Sequence, residues 1–119
     1  MLDFLNHYAD TLFWFLQAVI GVIFIVHSFG KIRNPAGIAS AYRAPVFVGL
    51  VHGLIEALGG LALVLNFHPK TAALVFSVVM LGAIYFKIFK WKTSFMAMNS
   101  TGWEFDLILL ASCLVIASA

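Results

Sequence analysis

Four long apolar stretches, separated by short polar segments, divide the chain. They cover about residues 11–31, 46–66, 71–89 and 103–119. About 20 apolar residues in a helix, at a rise of about 1.5 Å each, cross the hydrocarbon core of a bilayer. Short connections between helices favour antiparallel neighbours. The pattern therefore predicts an all-α integral membrane protein, a four-helix up-down-up-down bundle that forms a single transmembrane domain over residues 1–119.

The second stretch, VFVGLVHGLIEALGGLALVL, carries a carboxylate near its middle. Small residues and this acid recur at helical spacing on one face, which consists of Gly49, Gly53, Glu56 and Gly60. An ionised carboxylate at this depth costs about 2.5 kcal/mol or more unless it is protonated or paired. We therefore expect this glycine face to point inward. The opposite stripe should face lipid, and it consists of Leu54, Leu58, Leu61 and Leu65.

Two histidines are candidate partners of this acid. His52 precedes Glu56 by four residues on the same helix, and His27 of the first stretch lies at a similar depth. We expect Lys31 to lie near the interface and to extend to the headgroups rather than reach Glu56. Glu56 would then be neutral and share a hydrogen bond with a histidine. Tyr85 is a further hydrogen-bonding candidate from the third stretch.

Two interpretations of these polar residues remain open. The groups can simply tie helices together, at about 0.6 kcal/mol for each hydrogen bond. Alternatively, Glu56, His52 and His27 form a proton relay, or line a small-molecule pocket together with Tyr85. A haem held between His27 and His52 is geometrically conceivable but has no motif. The single Cys113 excludes an internal disulfide and a cysteine zinc site, and we expect no metal site.

Composition supports the membrane class. The chain is 63% hydrophobic and 10% charged, with a mean hydropathy of +1.03, whereas soluble domains are about 25% charged. The seven basic residues are spread over separate segments, so we expect a lipid bilayer and no nucleic acid as partner. The first residues lack a basic leader and a cleavage site of small residues, so we expect no removable signal peptide.

The distribution of basic residues predicts an orientation. Six of them flank the first and third connections, namely Lys31, Arg33, Arg43, Lys87, Lys90 and Lys92. The second connection has only Lys70. The positive-inside rule then places both termini on the non-cytoplasmic side.

Three blocks of the sequence resemble the DoxX family of small four-helix membrane proteins. They are GVIFIVHSFGKI at 21–32, GLIEALGGLALVLNF at 53–67 and TGWEFDLILLASCLVIA at 101–117. The matching positions are Gly21, Phe24, His27, Gly30, Lys31, Glu56, Gly59, Gly60, Gly102 and Glu104. One position departs, because many members carry an arginine early in the first span where this chain has Gln17.

The resemblance implies a role beside redox enzymes, since the family is named after subunits of a thiosulfate:quinone oxidoreductase. We expect an accessory subunit that docks on a larger redox or electron-transfer complex in the cytoplasmic or an equivalent energy-transducing membrane. One alternative is a quinone-interacting oxidoreductase subunit with Glu56 and His52 as proton relay. Another is an oligomeric transporter of small molecules or protons.

Each of these functions implies particular partners. We expect other membrane subunits or further copies of this chain beside it, and no cofactor held within the chain alone. Quinone or lipid are the candidate ligands. No cysteine pair, flavin motif or cluster site supplies electrons, so we do not expect the chain to be an enzyme on its own.

Overall fold

The computed structural model describes residues 2–96 and 102–119, and every regular element in these ranges is helical. The chain divides into two compact units, Met1–Phe67 and His68–Ala119. The connection between the third and fourth apolar stretches is described only in part, because residues 97–101 lie outside the described ranges. The all-α class is therefore confirmed for the part of the chain that the structure describes.

The first unit contains four helices. They are α1 (Leu2–His7), α2 (Ala9–Arg33), α3 (Pro35–Ala41) and α4 (Val46–Val64). Proline explains the boundary between α2 and α3, because the residue before a proline avoids the helical region. Asn34 accordingly has φ −136° and ends α2, and Pro35 opens α3, where its missing N–H costs no hydrogen bond.

Helices α2 and α4 pack against each other in antiparallel fashion. Gly21 of α2 lies against Gly60 of α4, and Ile32 near the end of α2 lies against Gly53 near the start of α4. Because the glycines carry no side chain, the two backbones approach closely along this line. The inward glycine face is thus confirmed.

The opposite face of α4 confirms the predicted rotation of the helix. The whole glycine face is buried, whereas its leucine stripe is exposed, with Leu58 and Leu65 each 67% exposed. A helix that hides a carboxylate and exposes leucine has the arrangement that a bilayer requires. Lipid is therefore the surrounding that fits the outer face of α4.

Both ends of α4 are fixed by backbone contacts. At its start, the Pro35 carbonyl of α3 lies directly against Gly49, where no Cβ would fit. At its end, Asn66 adopts the left-handed conformation with φ 57°. The Phe67 N–H donates to the Ala62 carbonyl at 2.8 Å, and the Asn66 N–H donates to the Leu63 carbonyl at 3.3 Å. This is a Schellman motif.

The second unit is a pair of helices. Helix α5 (Pro69–Tyr85) continues into a π-helical turn (Phe86–Lys90), and α6 (Trp103–Ser118) packs on α5. Lys87 Nζ lies 2.6 Å from Asp106 Oδ2. This ion pair places the end of the α5 segment beside the start of α6, so the two helices are antiparallel.

Three described helices are long and apolar enough to cross a membrane: Ala9–Arg33, Val46–Val64 and Pro69–Lys90. They coincide with the first three predicted spans. Helix α6 has 16 residues and is therefore about 24 Å long, less than the roughly 30 Å hydrocarbon core. The integral membrane class is supported, whereas the fourth span and the up-down-up-down bundle stay predictions.

Candidate functional site

Glu56 is the centre of an ionic cluster in the first unit. Its side chain is 1% exposed, and its Oε1 atom contacts Lys31 Nζ of α2. The same Oε1 lies 2.9 Å from Nε2 of His52, one turn earlier on α4. We call these three residues the Lys31–Glu56–His52 cluster. The Lys31 contact joins α2 to α4, and the Lys31 and His52 nitrogen groups share one carboxylate oxygen.

The expectation that Lys31 extends to the headgroups is wrong. A side chain on a helix leans toward the helix N-terminus. Lys31 near the end of α2 therefore leans inward, and Glu56 on the antiparallel α4 leans toward it. Gly53 leaves the space between them open, because a Cβ there would lie 3.1 Å from the Lys31 Cβ. The ion pair therefore results from the close packing at Gly53 and from the antiparallel directions of α2 and α4.

The Lys31 contact also changes the expected charge of the site. A neutral carboxyl bonded to a histidine was expected, but an ammonium group in direct contact favours the ionised carboxylate. The remaining acceptor, Glu56 Oε2, is buried and has no hydrogen-bond partner among the described residues. A buried carboxylate oxygen without a donor is unusual, because buried polar atoms are nearly always satisfied. This oxygen is free to accept a proton or a hydrogen bond.

The two other predicted site residues belong to other elements. His27 is exposed on α2, and the partners that the structure gives to Glu56 are Lys31 and His52. The structure thus gives Glu56 as the contact of the His52 imidazole nitrogen. Tyr85 belongs to the second unit, where its half-exposed ring contacts Phe86 and Phe89 at the end of α5. Of the four candidates, the structure brings together His52 and Glu56.

One residue beside the cluster was not predicted. Tyr42 follows α3, and its ring stacks on the imidazole of His52 with centroids 5.9 Å apart and an interplanar angle of 28°. The only sequence signal was the bracketing of residues 34–45 by two prolines, which suggests a short helix but not what the helix covers. Aromatic stacking between elements cannot be deduced from spacing.

Gln17, the position that departs from the family pattern, has a defined role. It is 3% exposed, and its Nε2 donates to the Leu63 carbonyl at 2.8 Å and to Asn66 Oδ1 at 3.1 Å. Both acceptors belong to the C-terminal end of α4, whose last carbonyls lack intrahelical donors. The neutral amide of Gln17 therefore satisfies acceptors at the end of α4 without placing a charge in the buried interior.

A second buried ion pair occurs in the second unit. Asp106 in the first turn of α6 is 5% exposed and is paired with Lys87. An acid in the first turn of a helix is favourable in itself, and the pair with Lys87 adds to this effect. Among the described residues no group of three or more His, Cys, Asp or Glu side chains is arranged to hold a metal.

Three apolar helices long enough to cross a bilayer, and a buried carboxylate paired with a lysine and a histidine between two of them, define an integral membrane protein with an intramembrane ionic cluster. The chain belongs to the DoxX family, whose profile matches residues 6–91. This range includes the whole cluster, and it confirms the resemblance. The closing block at 101–117 lies outside it. Searches of curated proteins and of solved structures found no match.

Proposed function

We propose that this chain is a small membrane subunit of a larger redox assembly, and that the Lys31–Glu56–His52 cluster passes protons for that assembly. The observation that carries the proposal is the buried, unpartnered Oε2 of Glu56. A cluster that served adhesion between helices alone would be expected to satisfy both carboxylate oxygens. An intramembrane carboxylate with a free oxygen beside an imidazole is typical of a proton route.

The proposed relay has a direction in space. The His52 side chain is 15% exposed and the Lys31 side chain 21%, whereas Glu56 is 1% exposed. A proton would enter at the partly exposed His52 and pass to Glu56. Lys31 would stabilise the carboxylate when the proton leaves, because an ammonium group favours the charged form. His52 suits this exchange because imidazole has two ring nitrogens, one that can receive a proton and one that can pass it on.

The redox partner is supported by family membership. The DoxX resemblance links the chain to quinone-reducing assemblies, so quinone is the candidate ligand, and the bilayer would deliver it. The sequence has a single cysteine, so the electrons would have to come from another subunit. In this proposal the present chain supplies protons and the partner supplies electrons.

The proposal includes the finer topology. Helix α6 would be the fourth span, and its length of about 24 Å would require local thinning of the bilayer or flanking residues at the interface. Both termini would then lie outside the cytoplasm, in the cytoplasmic or an equivalent energy-transducing membrane. The basic residues beside the first and third connections support this orientation.

Co-purification tests the subunit role. The tagged chain is isolated from native membranes in mild detergent, and the bound proteins are identified and quantified. We expect an oxidoreductase subunit in stoichiometric amount. Recovery of this chain alone, as a homo-oligomer, would overturn the accessory role.

Matched substitutions test the relay. Quinone reduction by the purified assembly is measured for Glu56→Gln and His52→Gln, and we expect a loss of about 10²-fold for each. Asp106→Asn is the control, since Asp106 is also a buried acid paired with a lysine but lies outside the cluster. Unchanged turnover in a folded Glu56→Gln assembly would contradict the relay.

A further inference from the structure

We propose that Tyr42 is a positioning residue for His52, which keeps Nε2 of the imidazole directed at Glu56. This inference deepens the proposed function and rests on it, because it assigns the group that orients the proton carrier. The juxtaposition is direct: one ring face of His52 stacks on Tyr42, and the edge of the same ring lies 2.9 Å from Glu56 Oε1.

A free imidazole can turn about its Cβ–Cγ bond, and a partial turn carries Nε2 out of line with Glu56. A relay requires one ring nitrogen at Glu56 and the other open to the incoming proton. Stacking on Tyr42 favours one ring plane, because a rotated imidazole loses the contact between the faces. The aromatic ring of Tyr42 therefore fixes the plane of the His52 ring, and within that plane the contact of Nε2 with Glu56 Oε1 selects the nitrogen edge over the carbon edge.

The backbone around Tyr42 is itself fixed. The Tyr42 N–H donates to the Ile38 carbonyl at 3.2 Å, and the Ala44 N–H donates to the Ala39 carbonyl at 2.9 Å. Arg43 between them has φ 54°, the left-handed conformation that ends a helix in a Schellman motif. These bonds leave Tyr42 little freedom, so its ring is presented to His52 by the end of α3.

Helix α3 is in turn fixed to α4 one turn before His52. The Pro35 carbonyl lies directly against Gly49, and the Cγ2 atom of Ile38 would lie 2.7 Å from a Cβ at that glycine. Ala39 on the same short helix is 1% exposed. Gly49 precedes His52 by three residues. The contact of α3 with Gly49 and the His52 ring that Tyr42 positions therefore lie on adjacent turns of α4.

The test uses the full chain in lipid nanodiscs with ¹⁵N-labelled histidine rings. The His52 signals are identified by their loss in His52→Gln, and the ring-nitrogen shifts report which nitrogen carries the proton. We expect a single form in the wild type and in Tyr42→Phe, which keeps the ring. Tyr42→Leu should show a second His52 form at a population at least severalfold above the wild type. An unchanged His52 spectrum in Tyr42→Leu would overturn the proposal.

Two additions make the result specific. Tyr42→Met, with a longer flexible side chain, is measured beside Tyr42→Leu, and we expect the second form in both. Tyr8→Leu removes another tyrosine of the same unit, which contacts Phe4 and His7, and should leave His52 unchanged. A change of equal size in Tyr8→Leu would mean general loosening of the unit and would also overturn the proposal.

The outcome separates the two proposals. Turnover of the assembly should fall roughly tenfold in Tyr42→Leu with unchanged KM for quinone, because a misplaced relay group slows the chemical step. If Tyr42→Leu alters His52 but Glu56→Gln leaves turnover intact, Tyr42 positions His52 and the relay fails. If Glu56→Gln abolishes turnover but Tyr42→Leu leaves the His52 spectrum unchanged, the relay stands and the positioning role fails.

Discussion

Gly21 and Gly60 face each other so closely that a Cβ on either residue would lie 2.6 Å from the carbonyl oxygen of the other. At this crossing the backbones of α2 and α4 are in direct contact, without intervening side chains. Such an approach fixes the register of the two helices, because a shift of either would bring a larger residue into the gap. The position of Lys31 opposite Glu56 depends on this register.

Replacement of Gly21 by alanine should therefore destabilise the protein. The added Cβ meets the backbone of α4, which has no flexible group to move aside. Gly30→Ala on the same helix is the control, because a Cβ there has nothing within 4 Å. We expect a lower melting temperature in detergent for Gly21→Ala. Gly30→Ala should be neutral or more stable, since alanine favours a helix over glycine by about 1 kcal/mol. Equal effects would mean that α2 and α4 cross elsewhere.

The ion pair between Lys31 and Glu56 should show strong coupling. Lys31→Met leaves the carboxylate buried with His52 as its remaining partner, so it should be the more damaging change. Glu56→Gln should cost less, because the partly exposed Lys31 can extend to the headgroups. The double variant should approach wild-type stability, since a buried pair can be replaced by neutral groups.

Detergent unfolding of the four proteins in this double-mutant cycle measures the coupling, which we expect to be about 1–3 kcal/mol. Loss of folding in Glu56→Gln but recovery in the double variant would show that the unpaired lysine is the costly group. Additive effects would contradict the ion pair.

Gln17 should stabilise the end of α4 through its amide donor. Gln17→Leu keeps a side chain of similar size but leaves the Leu63 carbonyl and Asn66 Oδ1 without this donor. We expect a loss of about 1–2 kcal/mol and faster hydrogen exchange in the last turn of α4. Asn66→Gly, which keeps the left-handed conformation and removes one acceptor, should have the smaller effect. A larger stability loss in Asn66→Gly than in Gln17→Leu would show that the turn at Asn66, rather than the Gln17 donor, stabilises the end of α4.

Cysteine labelling should reveal the orientation. Ser40 of α3 and Thr71 of α5 are both exposed, whereas the native Cys113 is 0% exposed and should not react. In intact cells an impermeant thiol reagent should label Thr71→Cys and spare Ser40→Cys, because the basic residues flank the first connection. Permeabilised cells provide the control, in which both should react. Labelling at position 40 alone would invert the topology.

Local periodicity was enough to predict the helix that carries the site. A period of 3.6 residues places Glu56 on the same helix face as the glycines and places the leucines on the opposite face. The contact between Glu56 and His52 follows from their four-residue spacing on one helix and needs no tertiary information. The partners of Glu56 from other helices could not be obtained in this way. Lys31 reaches it because two helices pack in a particular register, and side-chain lean at the end of α2 outweighs the attraction of the interface.

The contacts of Tyr42 and Gln17 also could not be predicted from the sequence, for two different reasons. Tyr42 sits in a segment of seven helical residues and a turn, too short for a periodic signal, and its contact with His52 requires the fold of α3 on α4. Gln17 departs from a family pattern, but its acceptors lie 46 and 49 residues away in the sequence. Contacts of this range depend on where helices end, which sequence patterns define poorly.

The backbone contacts at both ends of α4 determine how the protein should respond to bilayers of different thickness. Helix α4 is held at one end by α3 and at the other by Gln17, so it cannot slide along its axis relative to α2. Hydrophobic mismatch would then be met by tilting of the whole first unit and by deformation of the surrounding lipid. The carboxylate should consequently keep the same protein environment in thin and thick membranes.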